Sequence, residues 1–159
     1  MSHAKFLTQV AVFREMESDQ IEKVAALMQE TEYDEGEIIF NEKASGQHLF
    51  VVLSGVVEIF REIEGEERHV RLARLEPGEV FGELSLADGQ PRSAGARATI
   101  DPKTRVLVLS RANLERLLDE NPVLAVRFYR GLARKLGERL RKVDDAVADL
   151  SRALSYSWY

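Results

Sequence analysis

The sequence contains no cysteine. Disulfides, thiolate nucleophiles and cysteine-based zinc sites are therefore excluded. No apolar run approaches the ~20 residues of a membrane span. The opening Met1-Ser2-His3-Ala4-Lys5 has neither the apolar stretch nor the cleavage site of a signal peptide. A cytoplasmic location without membrane contact is the expectation. Histidines are scarce as well. His3, His48 and His69 stand far apart without metal-ligand spacing, so no metal site is expected. No Gly-Lys-Ser or Gly-Lys-Thr marks a phosphate-binding Walker loop, and no carboxylate pair is set beside a nucleophile. The chain reads as non-enzymatic, without a cofactor.

Proline and glycine are few and unevenly placed. Three of the four prolines lie between Pro77 and Pro102, and eight of the ten glycines between Gly36 and Gly95. A punctuated middle thus sits between two nearly unbroken ends. At the first end, Ser18 reads as an N-cap. Behind it Ile21, Val24, Ala25, Leu27 and Met28 recur at helical spacing, which predicts a helix over about 18–30. In the middle, β-prone runs alternate with turns: Glu37–Phe40, His48–Leu53, Val56–Ile63, His69–Arg74, Val80–Phe81, Gly95–Ile100 and Arg105–Leu109. Ser54-Gly55 and Glu64-Gly65 are hairpin breaks. Many short strands at this spacing suggest a β-sandwich or jelly roll. With 159 residues, one domain with a real core is available.

After Ser110, a second N-cap, Leu114, Leu117 and Leu118 mark a short helix. Asn121-Pro122 starts a longer one, with Asn as N-cap and Pro at the first helical position. Along it Tyr129, Ala133, Leu136, Leu140, Val143, Val147, Leu150 and Leu154 follow alternating steps of four and three, the a/d seam of a coiled coil. The span from Tyr129 to Leu154 extends ~39 Å at 1.5 Å per residue, longer than a small domain's face. A homodimer paired through this helix is the expectation, with Leu136, Leu140, Val143, Val147 and Leu150 as its seam. The alternative is a stripe packed on the chain's own barrel. The division is residues 1–121 for the barrel with its helices and 122–159 for the lid and dimerisation helix.

Charge follows the same division. Residues 1–121 carry 14 basic and 23 acidic groups, and residues 122–159 carry 8 basic and 4 acidic. An acidic body argues against a general nucleic-acid binder. The basic run Arg127, Arg130, Arg134, Lys135, Arg139, Arg141 and Lys142 borders the seam without interleaved aromatics after Tyr129, so a solvated helix face is expected. The tail Tyr156-Ser157-Trp158-Tyr159 reads as a docking terminus or a frayed end.

The segment FGELSLADGQPRSAGARAT, residues 81–99, is a candidate anion cradle. Gly82 to Leu86 suits one helical turn, whose first amides are unpaired and bind phosphate well. Gly82 lets a ligand approach the backbone. Arg92 supplies a permanent charge with a fork of donors. Ser93, Ala94 and Gly95 leave their amides reachable. A carboxylate at Glu83 repels phosphate, yet fits a ligand that also presents a sugar hydroxyl. Composition alone leaves open a tight loop in which Glu83 and Arg92 pair with each other and bind nothing.

FGELSLADGQPRSA closely resembles the phosphate-binding cassette of cyclic nucleotide-binding domains, the family of protein kinase A regulatory subunits, nucleotide-gated channels and catabolite activator protein. The likeness extends to EGEIIFNEKASGQHLFVVLSGVVEIF at 35–60, LARLEPGEVFGE at 72–83 and VLVLSRANLERLLDENPVLAVRFYRGLARKLGERL at 106–140. It implies a mainly β fold with flanking helices, namely a double-stranded β-helix (jelly roll) with an N-terminal helix and a long C-terminal helix. It also implies a ligand-binding set of Gly82, Glu83, Leu84, Ser85, Arg92, Ser93 and Ala94. Arg92 would pair with the cyclic phosphate and Glu83 would accept from the ribose 2′-hydroxyl. The amides of Leu84, Ser85 and Ala94, with the Ser93 hydroxyl, would complete the cradle. The expected ligand is cAMP, with cGMP second. The family also has haem-sensing variants, for which His48 or His69 would be the ligand.

Two departures bear on function. Gly95 stands where many members carry Thr or a larger residue, which removes packing near the base. Arg139 and Leu140 take the positions of the hydroxyl residues that face the adenine in catabolite activator protein, as a candidate base lid. No helix-turn-helix reader is expected after the long helix, and so no DNA. The expected function is a sensor that transmits ligand binding through its C-terminal helix to a protein partner still unknown. The alternatives are a ligand-free scaffold that keeps the barrel for oligomerisation, and a regulatory subunit docking a separate catalytic chain on its basic helix face.

Overall fold

The computed structural model describes residues 2–63, 65–66, 68–99 and 103–156. Ser157 to Tyr159 of the aromatic tail, Glu64 of the expected hairpin break and Ile100 of the expected strand lie outside them. Among the described residues, two four-stranded antiparallel sheets face each other. One has the order β1 (Gln29–Tyr33), β8 (Thr104–Ser110), β3 (His48–Ser54), β6 (Val80–Phe81). The other has the order β2 (Ile38–Phe40), β7 (Gly95–Ala98), β4 (Val57–Glu62), β5 (His69–Leu75). This is the jelly roll that the resemblance implied.

Strand alternation divides the core in two. On β3, Phe50 and Val52 point between the sheets, where they meet Ile59, Phe81 and Ala96. Leu49 and Val51 point the other way, onto the helices. A strand buried on both faces reads as a continuous apolar run, which is why LFVVL stands out in the sequence. The helices covering that outer face are α1 (His3–Leu7), α2 (Ser18–Leu27), α4 (Arg111–Glu120) and the first third of α5 (Pro122–Tyr156).

Several boundaries differ from expectation. Ser18 does not cap α2. Glu17 does, in a capping box closed by Gln20, whose Oε1 accepts from the Glu17 N–H at 3.1 Å. The helix ends at Leu27 rather than near 30, because Gln29–Tyr33 leaves to pair with β8. Ser110 caps α4 as expected, accepting from the Asn113 N–H at 3.3 Å. Asn121 does not cap α5 with its side chain. Its Nδ2 donates to the Leu117 carbonyl and its Oδ1 accepts from Lys23, so the amide closes α4 instead.

The 35 residues of α5 extend ~52 Å at 1.5 Å each. Leu124, Phe128 and Leu132 are buried against the body. At Gly131 a Cβ would lie 2.0 Å from the Val12 carbonyl oxygen, so only glycine permits this crossing. The basic run is not a uniformly solvated face. Arg127 donates to Glu17 and Gln20, while Arg130 and Arg134 pair with Glu15. Leu136 also packs on the chain's own core, which corrects its assignment to the seam. Beyond it Leu140, Val143, Val147 and Leu150 are each more than half exposed.

Candidate functional site

Strand β6 ends at Gly82, whose φ of 74° lies in the left-handed region that favours glycine. A Cβ there would meet Arg92 Nη1 at 2.7 Å and the His48 carbonyl oxygen at 3.0 Å. From this tight turn helix α3 (Glu83–Asp88) departs, with first-turn amides that have no acceptor inside the helix. Gly89 closes it, and the chain returns through Pro91 to Arg92.

Arg92 is buried, with 4% exposure. Its Nη1 donates to the Gly82 carbonyl and its Nη2 to the His48 carbonyl, each at 2.7 Å. The guanidinium lies 4.3 Å from the centroid of Phe40 and 5.6 Å from that of Phe50, within cation–π range. The backbone is fixed too: the Arg92 N–H donates to the Ala44 carbonyl, and the Lys43 N–H to the Arg92 carbonyl, both at 2.8 Å. Nε alone is buried without a hydrogen-bond partner among the described residues. Burial lowers the Arg92 pKa and the Glu83 carboxylate opposes that shift. Two of the five guanidinium N–H donors go to carbonyls, which leaves Nε–H free to meet an acceptor.

Glu83 is buried more deeply still, at 1% exposure. It does not pair directly with Arg92 among the described ion pairs, which departs from the pairing in the tight-loop reading. Instead its Oε1 accepts from Arg139 Nη1 of α5 at 3.1 Å. Arg139 is thus brought to the site rather than left as a solvated flank. Lys135, one turn earlier, lies near the same acid: burial pulls its pKa down, while Glu83 and Glu79 pull it up.

These groups surround an open cleft whose empty space, counted with the solvent at its mouth, is about 370 Å³. All seven residues expected from the sequence, Gly82–Ser85 and Arg92–Ala94, line it together with Phe40, Ile59, Phe81 and Arg139. Leu140 does not. It is 61% exposed on a different face of α5, so the lid assignment is corrected to Arg139 alone. Gly95 does not line the cavity either. The space a side chain would take is filled by the Phe60 ring, 2.6–2.9 Å from an ideal Cβ, so no packing is missing there. Sequence reasoning missed Phe40, Ile59 and the His48 carbonyl. Phe40 carried the one usable signal, a large aromatic on a short strand leading into a turn.

The family model described as "Cyclic nucleotide-binding domain" matches residues 30–121, more than half of the chain. The chain belongs to this family. The match runs from β1 to the end of α4 and contains the whole cassette. As a cyclic nucleotide-binding domain, the chain is 37% identical over 134 residues to the cyclic AMP receptor protein of Thermus thermophilus, covering 84% of this chain and 58% of that protein. It is 34% identical over 115 residues to the cGMP-dependent protein kinase egl-4 of Caenorhabditis elegans, covering 72% of this chain and 15% of that one. The chain therefore spans less than two thirds of either relative. Among solved structures, a cyclic nucleotide-binding domain from Methylobacillus flagellatus superposes with a TM-score of 0.80 at 25% identity, over 92% of this chain and 84% of that one. No helix among the described residues is long and apolar enough to cross a membrane.

Proposed function

We propose that the cavity binds a cyclic nucleotide, cAMP first and cGMP second, and that α5 of a homodimer transmits the binding. One observation carries this reading: a buried arginine with an open Nε stands in the same cavity as a buried carboxylate. A cyclic phosphodiester has one negative charge, which one guanidinium and the cassette amides are sufficient to meet. Arg92 takes the phosphate. Glu83 accepts from the ribose 2′-hydroxyl, while the amides of Leu84, Ser85 and Ala94 and the Ser93 hydroxyl complete the cradle. No residue of the cavity is set to attack the ligand, so the outcome of binding is a shift in conformation. That shift is limited to the ligand's preference for one state over the other.

The relatives named for cAMP and for cGMP match this chain about equally well, so their names do not choose the base. Calorimetric titration with each nucleotide does. Arg92→Ala is expected to weaken binding by ~2–5 kcal/mol, roughly 30- to several-thousand-fold, because it removes the buried charge partner. Absence of heat at millimolar cAMP and cGMP, or equal affinity in wild type and Arg92→Ala, overturns the reading. The scaffold alternative drew its support from Gly95 and the altered lid. Phe60 fills the space at Gly95, and Arg139 reaches the cavity wall.

A further inference from the structure

Arg127, Arg130, Arg134 and Arg139 of α5 are taken up by acids of the body, at Glu17, Glu15 and Glu83. A second basic surface stands on the outer face of the other sheet, where β5 is an edge strand. From Arg68 to Leu75 the chain reads RHVRLARL, with three arginines and no acid. Strict alternation along a strand would send Arg71 and Arg74 to opposite faces. A bulge at Leu72 prevents this. Arg71 pairs in register with Phe60 and Arg74 with Glu58, two residues on the same face of β4. The row continues to Arg97 of β7, which is also opposite Glu58. Glu58 is 12% exposed and accepts from Arg97 at 2.5 Å, with His69 at 3.6 Å and Arg71 at 4.0 Å. That one carboxylate is shared among three neighbours. Arg74 is exposed and forms no ion pair among the described residues.

The same strand offers backbone and apolar contacts. β5 pairs with β4 alone, so its outer edge has no strand partner among the described residues. Val70 and Leu72 on that strand are 48% and 50% exposed. Charge sets the sign and the width of what fits. Residues 1–121 carry 23 acidic and 14 basic groups, so a broad anionic surface such as a membrane would meet repulsion around the patch. A single extended chain would not. We propose that β5 is a docking edge for an extended acidic segment of another protein. The segment adds a fifth strand to the four-stranded sheet, sets its carboxylates against Arg71 and Arg74, and covers Val70 and Leu72. Backbone pairing supplies the attachment, and the arginines supply the preference for acids. The nucleotide reading is not needed for this, since neither β5 nor Arg97 lines the cleft.

The test is fluorescence anisotropy of a labelled, end-blocked peptide of alternating Glu and Val, seven residues long, added to the full chain. Saturable binding that weakens with added salt is expected. The same peptide with Lys in place of Glu should not bind. Combined Arg71→Gln and Arg74→Gln should weaken the acidic peptide about 10-fold, as for two exposed ion pairs. Both side chains are exposed, so denaturant unfolding of the variant should match wild type. A second measurement reads the backbone: hydrogen exchange over residues 69–75 should slow when the peptide is added. No binding at millimolar peptide overturns the proposal. So does binding that is indifferent to the two arginines, or that leaves exchange over 69–75 unchanged. Vesicles of equal parts phosphatidylcholine and phosphatidylserine are the remaining arm. If they bind the chain more tightly than the peptide does, with the same dependence on Arg71 and Arg74, the occupant is a lipid surface and the peptide assignment is overturned.

Discussion

A methyl group on Gly95 would sit 2.6 Å from the Phe60 ring, while one on Gly82 would sit 2.7 Å from the Arg92 guanidinium. The distances are similar and the consequences differ, because one neighbour is packing and the other is the site. Gly95→Ala forces the ring aside and is expected to destabilise the fold by ~1–3 kcal/mol in denaturant unfolding, as overpacking does. It should leave nucleotide affinity unchanged, since Gly95 does not line the cavity. Phe60→Leu in the same chain should recover part of the loss. Gly82→Ala adds a strained backbone, about 1–2 kcal/mol for an L-residue in the left-handed region, and pushes on Arg92 directly. Both stability and affinity should fall. A Gly95→Ala variant that binds poorly, or a Gly82→Ala variant that binds normally, would contradict this division.

At the scale of elements, the first part of α5 is riveted to the N-terminal helices by acids on one side and arginines on the other. Hydrogen bonding from Arg134, reinforced by the charges of Arg134, Arg130 and Arg127, holds the Glu15 carboxyl below its ordinary value of 4.5. On the β1–β8 edge, His3 and Arg105 do the same for Glu30. A folded pKa below the unfolded one means stability that is complete above the ordinary carboxylate range and lost as pH falls through the depressed value. Melting temperature should therefore drop on acidification below about 4.5. Glu15→Gln should lower it at neutral pH and converge on wild type in acid, where Glu15 is itself protonated; parallel curves at all pH values would refute the rivet. None of this pairing was legible in the sequence, since Glu15 and Arg134 are 119 residues apart. The strands were legible wherever an apolar run stood between glycines. β1 was not, because QETEY has no aliphatic residue and its place is fixed by pairing with β8. Within the site, the cassette supplied Glu83 and Arg92 by local spacing. Their depth, and the arrival of Arg139, depend on where α5 crosses the barrel.

For the whole molecule, the decisive feature is the half of α5 that extends past the body. Leu140, Val143, Val147 and Leu150 are 52–61% exposed and keep the four-and-three spacing. A helix with such a stripe suits a partner with the same stripe, and in the proposed homodimer a second copy would supply it. Leu140→Asp or Val147→Asp should then convert the protein to a monomer in sedimentation equilibrium without unfolding it, because both side chains are exposed in the single chain. A dimer mass unaffected by either seam substitution would mean that another surface joins the copies. α5 would then stand free, and the proposed signal would have to be read by a different protein.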